Sequence, residues 1–454
     1  MSHERGVALF LRLLAVAYLS AFLSLAVQIT GLVGSRGILP AGEFLDQVRQ
    51  GLGPLAYWSF PTLAWISAGD GFLRFLCWGG AALALAALAG RWPVPLFAAL
   101  WIFYLSLVVA GQDFLGFQWD GLLLEAGFLA IGLPLAPRIV TWLCRVLLFR
   151  LMFSSGVVKL ASGDPAWRDL TALRYHYETQ PIPDPVAWFA HQLPARFQTF
   201  SCVAMFGVEL VVPFLIFAPG RVRRIGGVVL IGFQALIALT GNYAFFNLLA
   251  AVLCVPLFFD PADGESWPYW KRVAGLSLAA WIAAAGLVQL TSLFTRPPDG
   301  ALLVWGPLAR YNIVNSYGLF AVMTTRRPEI IVQGSHDGET WLDYEFPYKP
   351  GDLKRRPPFV APHQPRLDWQ IWFAALGEHR QSPWFTNLMA RLLEGSPEVL
   401  RLIERNPFPG APPRYVRALR YDYHFTDFAA RRAEGAWWRR TYTDLYFPVG
   451  SLRH

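Results

Sequence analysis

The sequence predicts a polytopic α-helical membrane protein of about nine transmembrane helices, with a C-terminal soluble, β-rich or α+β domain on the extracytoplasmic side. Three observations predict it. Of 454 residues, 55% are hydrophobic and only 15% charged, whereas soluble domains sit near a quarter charged. The apolar excess is gathered into long runs between residue 7 and about residue 293. After that point the pattern changes to short segments that hold most of the charge. The expected division is a transmembrane domain over 1–296, with an extracytoplasmic loop at 161–198, and a soluble domain over 297–454.

A bilayer core takes roughly 20 apolar residues per helix. This places candidate spans at 8–31, 71–90, 94–111, 119–136, 139–160, 199–218, 224–241, 244–259 and 272–293. The first is expected to be a retained helix, since no small-residue cleavage site follows it. Residues 43–65, with Phe60-Pro61 and many aromatic rings, are expected to lie in the interface plane as a helix or elbow. Nine is odd, so the two termini face opposite sides. Arg5 and Arg12 put the N-terminus in the cytoplasm. The loops expected on that side contain Arg91, then Arg138, then Arg221, Arg223 and Arg224, then Lys271 and Arg272, which is the positive-inside pattern. The net charge of +8 therefore reports topology, with the bilayer and not nucleic acid as partner.

In the tail, residues 329–346 alternate around Asp337-Gly338, a hairpin signal. Residues 366–404 carry Trp369, Trp372, Phe373 and Leu376 at helical spacing, and short strands are expected near 421–425 and 441–447. The four cysteines, Cys77, Cys144, Cys202 and Cys254, all fall within apolar runs and form no C-x-x-C pair. That argues against a disulfide scaffold, a zinc module or thiol exchange with a client. No N-x-S/T acceptor with a permitted middle residue occurs, which weighs against an endoplasmic-reticulum glycoprotein.

Ionisable groups inside spans need partners or a purpose. Asp120 and Glu125 open the fourth span five residues apart, about 140° round a helix, and so do not share a face. Asp120 reads as a cap or as the partner of an Arg near the surface, Glu125 as buried polar architecture or a functional group. Lys159, at the end of the fifth span, is either a snorkelling lysine or a desolvated amine acting as a base. Glu209 sits mid-span and must be neutralised or paired, with Lys159 or Arg150 in prospect. The densest polar segment contains Asp164, Trp167, Arg168 and Asp169, followed by His176, Tyr177 and Glu178. It lacks a third metal ligand, a nucleophile elbow and a phosphate loop, so no metal or cofactor is expected. A hydrogen-bonded lid on the membrane face is the alternative reading.

Several strings resemble the lipase maturation factor family. They include Arg150-Leu151-Met152-Phe153, Gly156 to Lys159, Trp167-Arg168-Asp169-Leu170-Thr171 and His176-Tyr177-Glu178-Thr179-Gln180-Pro181. Phe117-Gln118-Trp119-Asp120, Gly241-Asn242-Tyr243, Val314-Asn315-Ser316-Tyr317-Gly318, Arg366-Leu367-Asp368-Trp369 and Asn406-Pro407-Phe408 belong to the same pattern. The resemblance covers nearly the whole chain. In animals it implies an endoplasmic-reticulum membrane protein that helps secreted lipases fold and assemble, with its tail in the lumen. The Ala, Arg and Pro usage here places the expectation in a bacterial inner membrane, with the tail in the periplasm. A fainter similarity, Gly156 to Leu160 followed by an acidic-aromatic stretch, is to the vitamin K-dependent γ-carboxylase, where the matching lysine is the base; Lys159 falls on that position.

Two functions follow. A folding factor would bind a secreted client protein, with a lipase as the candidate, through the tail and the 161–198 loop. A membrane enzyme would act on a lipid- or quinone-like molecule, with Lys159 as base and Asp120, Glu125, His176, Glu178 and Glu209 around it. A passive transporter ranks last, because the halves show no inverted repeat. The folding factor is the expected function, and a bound lipid is a further candidate partner.

Overall fold

The computed structural model describes residues 1–260, 269–297 and 299–452. The side chains of Lys271 and Arg272, expected in the last inner loop, lie outside the described ones. The helices used below are α1 (His3–Ala26), α2 (Asp70–Leu88), α3 (Pro93–Ala110), α4 (Gln118–Gly132), α5 (Pro137–Ala161), α6 (Leu173–Thr179) and α7 (Pro185–His191). They continue with α8 (Ala195–Leu210), α9 (Gly220–Thr240), α10 (Phe246–Leu253), α11 (Tyr269–Thr291), α12 (Arg366–Ala375) and α13 (Pro383–Leu393).

Six of these segments are long and apolar enough to cross a bilayer: α1, α2, α3, α8 with its continuation to Phe217, α9, and Val273–Thr291 of α11. The other three expected spans differ in kind. Helix α4 has 15 residues, about 22 Å at 1.5 Å per residue, and α10 has only 8. Helix α5 has 25 residues but carries Arg138, Arg145, Arg150 and Lys159. These three helices pack on one another and are surrounded by the long ones. Helix α4 is buried without interruption from Trp119 to Gly127. The sheath meets lipid, so the inner helices can be short or charged.

Two local departures from the sequence reading have clear causes. The first apolar run does not continue to residue 31 as one helix. It stops at Ala26, and a separate turn, Ile29–Val33, follows. Here the Gln28 amide bonds both the Ser24 carbonyl and the Gln364 carbonyl of the tail. Arg221, Arg223 and Arg224 were expected in a loop but form the first turn of α9. Arg223 is buried, donating to the Leu257 carbonyl and to Asp260 at 2.6 Å. Arg145 likewise donates to the carbonyls of Pro256 and Phe259. Both arginines satisfy carbonyls left open past the end of α10. The 43–65 segment does form an elbow, Ala41–Leu52 then Leu55–Ser59, burying Ala41, Leu45 and Ala56.

The tail holds a four-stranded antiparallel sheet in the order β2-β1-β3-β4, with β1 (Pro328–Ser335), β2 (Leu342–Asp343), β3 (Tyr415–Phe425) and β4 (Trp438–Gly450). The hairpin turns at Asp337-Gly338, where Gly338 has φ +82, a left-handed position that suits glycine. The helical stretch 366–404 is broken. Helix α12 ends at Ala375, and Pro383 and Pro397 open new helices, because proline fits a first turn but not an interior. Core packing does not stop at the domain border. One buried cluster runs from Phe10 and Leu122 through Tyr317 and Trp369 to Ala418.

Candidate functional site

The buried charges fall into distinct networks, and most of them bind the tail to the helices. Asp120 accepts two hydrogen bonds from Arg366, at 2.7 and 2.9 Å, and one from the Tyr104 hydroxyl at 2.5 Å. Arg366 also donates to the Phe114 carbonyl. Glu125 accepts from Arg150 at 2.7 Å, from the Tyr317 hydroxyl at 2.6 Å and from the backbone N–H of Asn315 at 2.9 Å. Asn242 receives the backbone N–H groups of Val360 and Ala361, and its amide donates to Ile182 and Pro358. Glu178 accepts the Phe425 N–H at 3.0 Å and lies 3.3 Å from His424. Buried polar groups are costly when unpaired, and these carboxylates are fully supplied.

Lys159 and Glu209 are arranged differently. The lysine sits in the last turn of α5, and its ammonium donates to both Glu209 oxygens, at 3.0 and 2.8 Å, and to the Ser155 carbonyl at 3.0 Å. All three of its hydrogens are thereby used. Gly156 sets the approach of α8, since a Cβ there would meet the Glu209 Cβ at 3.0 Å and Leu210 at 2.7 Å. The Lys159 ammonium also lies 5.4 Å from the centre of the Trp167 ring, a cation–π distance. The pair forms part of the wall of a cavity of about 740 Å³.

His176 lies in the same wall, and its tautomer follows from its neighbours. The Gln180 amide donates to the carbonyls of Tyr177 and Thr240, which leaves Gln180 Oε1 to accept from the Tyr243 hydroxyl at 2.8 Å. The Tyr243 oxygen is 3.2 Å from His176 Nε2. Because the tyrosine proton is committed to Gln180, Nε2 must carry the imidazole proton. Nδ1 has no hydrogen-bond partner among the described residues and is not sealed off. Burial, then the charge of Lys159, pushes the His176 pKa down to about 4, so the ring is neutral near pH 7.

The remaining walls are apolar and belong mainly to α8 and α9, including Phe197, Phe200, Phe233 and Leu236. Helix α9 packs along the turn Val212–Phe217 but hardly touches α8 itself. The two helices therefore splay, and the cavity opens sideways through the sheath. At this opening Phe200 is 67% and Leu236 58% exposed.

The structure thus gathers five of the sequence-derived candidates, Lys159, Trp167, His176, Tyr177 and Glu209, at one cavity. Asp120, Glu125, Glu178 and Asn242 point elsewhere, into the contacts with the tail. Arg168 and Asp169 are exposed. Trp167 reaches the tail as well, through its indole N–H to the Phe320 carbonyl. Sequence reading did not single out Arg366, Tyr243 or Gln180. A buried Asp120 demands a cation, but nothing in the sequence says which one. Among the described residues no group of three His, Cys, Asp or Glu side chains gathers as a metal site.

Residues 6–263 match the lipase maturation factor transmembrane domain and residues 313–448 the lipase maturation factor C-terminal domain. The chain is 39% identical to lipase maturation factor 2 of Homo sapiens, over 98% of this chain and 82% of that protein. It is 38% identical to lipase maturation factor 2 of Gallus gallus, over 99% and 82%. With lipase maturation factor 1 of Bos taurus the identity is 36%, over 96% and 87%. No solved structure matches the chain. With both halves matched in order and identities above a third, the chain belongs to the lipase maturation factor family.

Proposed function

We propose that the protein is a membrane-bound factor that assists the folding, assembly and maturation of secreted, lipase-like clients. The observation that carries this reading is the match of both halves to a family whose members are named for lipase maturation. The finer reading has nine crossings, the six long helices plus α4, α5 and α10, in a bacterial inner membrane. Residues 1–296 then form the membrane domain and 297–454 a periplasmic domain. Support for this orientation comes from Arg12, which lies beside Gly90, bringing two of the basic segments to one end of the bundle.

The client contact is assigned to β4. It is the edge of the sheet, and past its pairing with β3 no further strand covers it among the described residues. Tyr442, Leu445 and Val449 are 55, 48 and 53% exposed on it. An uncovered, apolar edge strand is a template for an extended segment of another chain. The test co-expresses a secreted lipase with L445K/V449K. The expected outcome is loss of most secreted lipase activity at an unchanged amount of the factor in the membrane. Full lipase activity with this variant would sink the assignment.

A second reading, a membrane enzyme with Lys159 as base, is favoured by one observation: Lys159 lines a cavity large enough for a lipid-like molecule. Against it stands the saturation of the ammonium by Glu209 and Ser155. Lys159→Met separates the two readings: it abolishes function at normal protein levels if Lys159 is the base, and spares lipase maturation if the pair is a structural element.

A further inference from the structure

The cavity between α8 and α9 has a polar end with an uneven supply of hydrogen bonds. Lys159 has no N–H left to give. The hydroxyls of Ser155, Ser201 and Thr240 donate to the carbonyls of Leu151, Phe197 and Leu236. The acceptors, by contrast, are open. Glu209 keeps lone pairs beyond those used by Lys159, and His176 Nδ1 is unpaired. The Tyr177 hydroxyl and one N–H of Gln234 are the donors that remain on this wall. Charge is balanced, one ammonium against one carboxylate at 2.8 Å. An anionic head group would face the Glu209 carboxylate with no ammonium N–H to compensate. A group that donates a hydrogen bond, carries no charge and also offers an acceptor fits this wall.

The other end of the cavity is a lateral gap lined by Phe197, Phe200 and Leu236, on a face of the bundle that meets acyl chains. A volume of about 740 Å³ lies within the ~300–1,000 Å³ typical of small-molecule sites. We propose that this cavity binds a neutral glycerolipid with a free hydroxyl, a monoacylglycerol in class, which enters from the bilayer between α8 and α9. The two hydroxyls of its head group donate to Glu209 and to His176 Nδ1, one to each, its ester carbonyl accepts from the Tyr177 hydroxyl, and its acyl chain lies along Phe197, Phe200 and Leu236. This inference does not rest on the client reading, and its test uses no client.

Gly232 supplies the variant. It lines the cavity, and a Cβ added there meets nothing within 4 Å, so Gly232→Trp fills the space without displacing backbone. Gly207, on α8 but outside the cavity wall, is equally open, and Gly207→Trp is its control. The full chain in phosphatidylcholine nanodiscs is incubated with a photoactivatable monooleoylglycerol, and the labelled peptides are mapped. The expected labels fall in α8 and α9 and are lost in Gly232→Trp but kept in Gly207→Trp. Unlabelled monooleoylglycerol competes, while methyl oleate, which lacks the hydroxyl, and oleate, which is anionic, compete about tenfold less well. Should Gly232→Trp fail to fold, Leu236→Trp at the mouth gives the same reading. Equal labelling of the filled and control variants overturns the site. Equal competition by oleate or methyl oleate overturns the head-group assignment.

Discussion

Asp120–Arg366 and Glu209–Lys159 are both buried carboxylate–cation pairs, yet their surroundings differ. At Asp120 every neighbour is solid. Arg366 is fully enclosed, the phenol of Tyr104 takes a third place, and the Phe114 carbonyl takes a further N–H of the arginine. At Lys159 one side is packed, by Gly156 and Trp167, and the other looks into a cavity. The first pair joins the tail to the helices over 246 residues of sequence. The second joins two neighbouring helices and leaves acceptor capacity facing open space. A buried charge is therefore not in itself a functional mark; what separates the two pairs is whether space is left beside them.

The largest effect is expected at the enclosed pair. Arg366→Met leaves Asp120 without its cation in a dry site and is predicted to cost about 3–5 kcal/mol. Denaturant unfolding of the detergent-solubilised protein measures this, and limited proteolysis is expected to release the tail. Asp120→Asn combined with Arg366→Met is predicted to cost less than the sum of the two single changes, because both charges leave together. A loss below about 1 kcal/mol for Arg366→Met, the size of an exposed ion pair, would remove the distinction between dry latch and open pair.

Lys159→Met is predicted to cost less, about 1–3 kcal/mol, since Glu209 can turn to water or ligand in the cavity where Asp120 cannot. The same unfolding measurement ranks the two. If Lys159→Met matched Arg366→Met, the cavity would give Glu209 no relief and the pair would count as ordinary architecture. Adding monooleoylglycerol sharpens the comparison, because it is expected to raise the unfolding midpoint of the wild type and leave that of Gly232→Trp where it was.

What could be read from sequence follows the range of the forces. Six apolar segments were legible because lipid contact demands uninterrupted apolar length. The shortness of α4 and α10 was not, because a helix wrapped by others obeys no bilayer rule. The five-residue offset of Asp120 and Glu125 puts them on different faces of the helix, and their partners in the structure are Arg366 and Arg150. The partner of Asp120 lay beyond reading, since Arg366 is one arginine among many. Lys159 and Glu209 were a named possibility, yet only the splay of α8 from α9 makes their surroundings a cavity. The role of Gln180 depends on its fixing the Tyr243 proton, a property of three-dimensional hydrogen bonding that no spacing carries.

The smallest predicted effect lies where the end of α6 meets the tail, and it tests whether exposure weakens a pair as the contrast above requires. His424 Nδ1 is 3.3 Å from Glu178, and its side chain is 45% exposed. The hydrogen bond to Glu178 raises the histidine above its ordinary 6.5, burial opposing it. Burial would raise Glu178, but the hydrogen bond with His424, nearby His191 and the Phe425 N–H together bring it below its ordinary 4.5. A histidine held above its unfolded value stabilises fully below pH 6.5 and loses that contribution as pH rises through the raised value. A carboxylate held below its unfolded value stabilises above pH 4.5 and loses its share as pH falls through the lowered value. The joint contribution is therefore greatest between these limits. Solvent screening keeps it to about 0.5 kcal/mol. His424→Gln is expected to flatten the decline of the unfolding midpoint above pH 6.5 and, because the His424 hydrogen bond also helps to hold Glu178 down, to lessen the decline on the acid side as well. Parallel curves for wild type and variant on the alkaline side would mean that the exposed pair carries nothing, whereas a change as large as that of Arg366→Met would mean that enclosure is not what gives these pairs their strength.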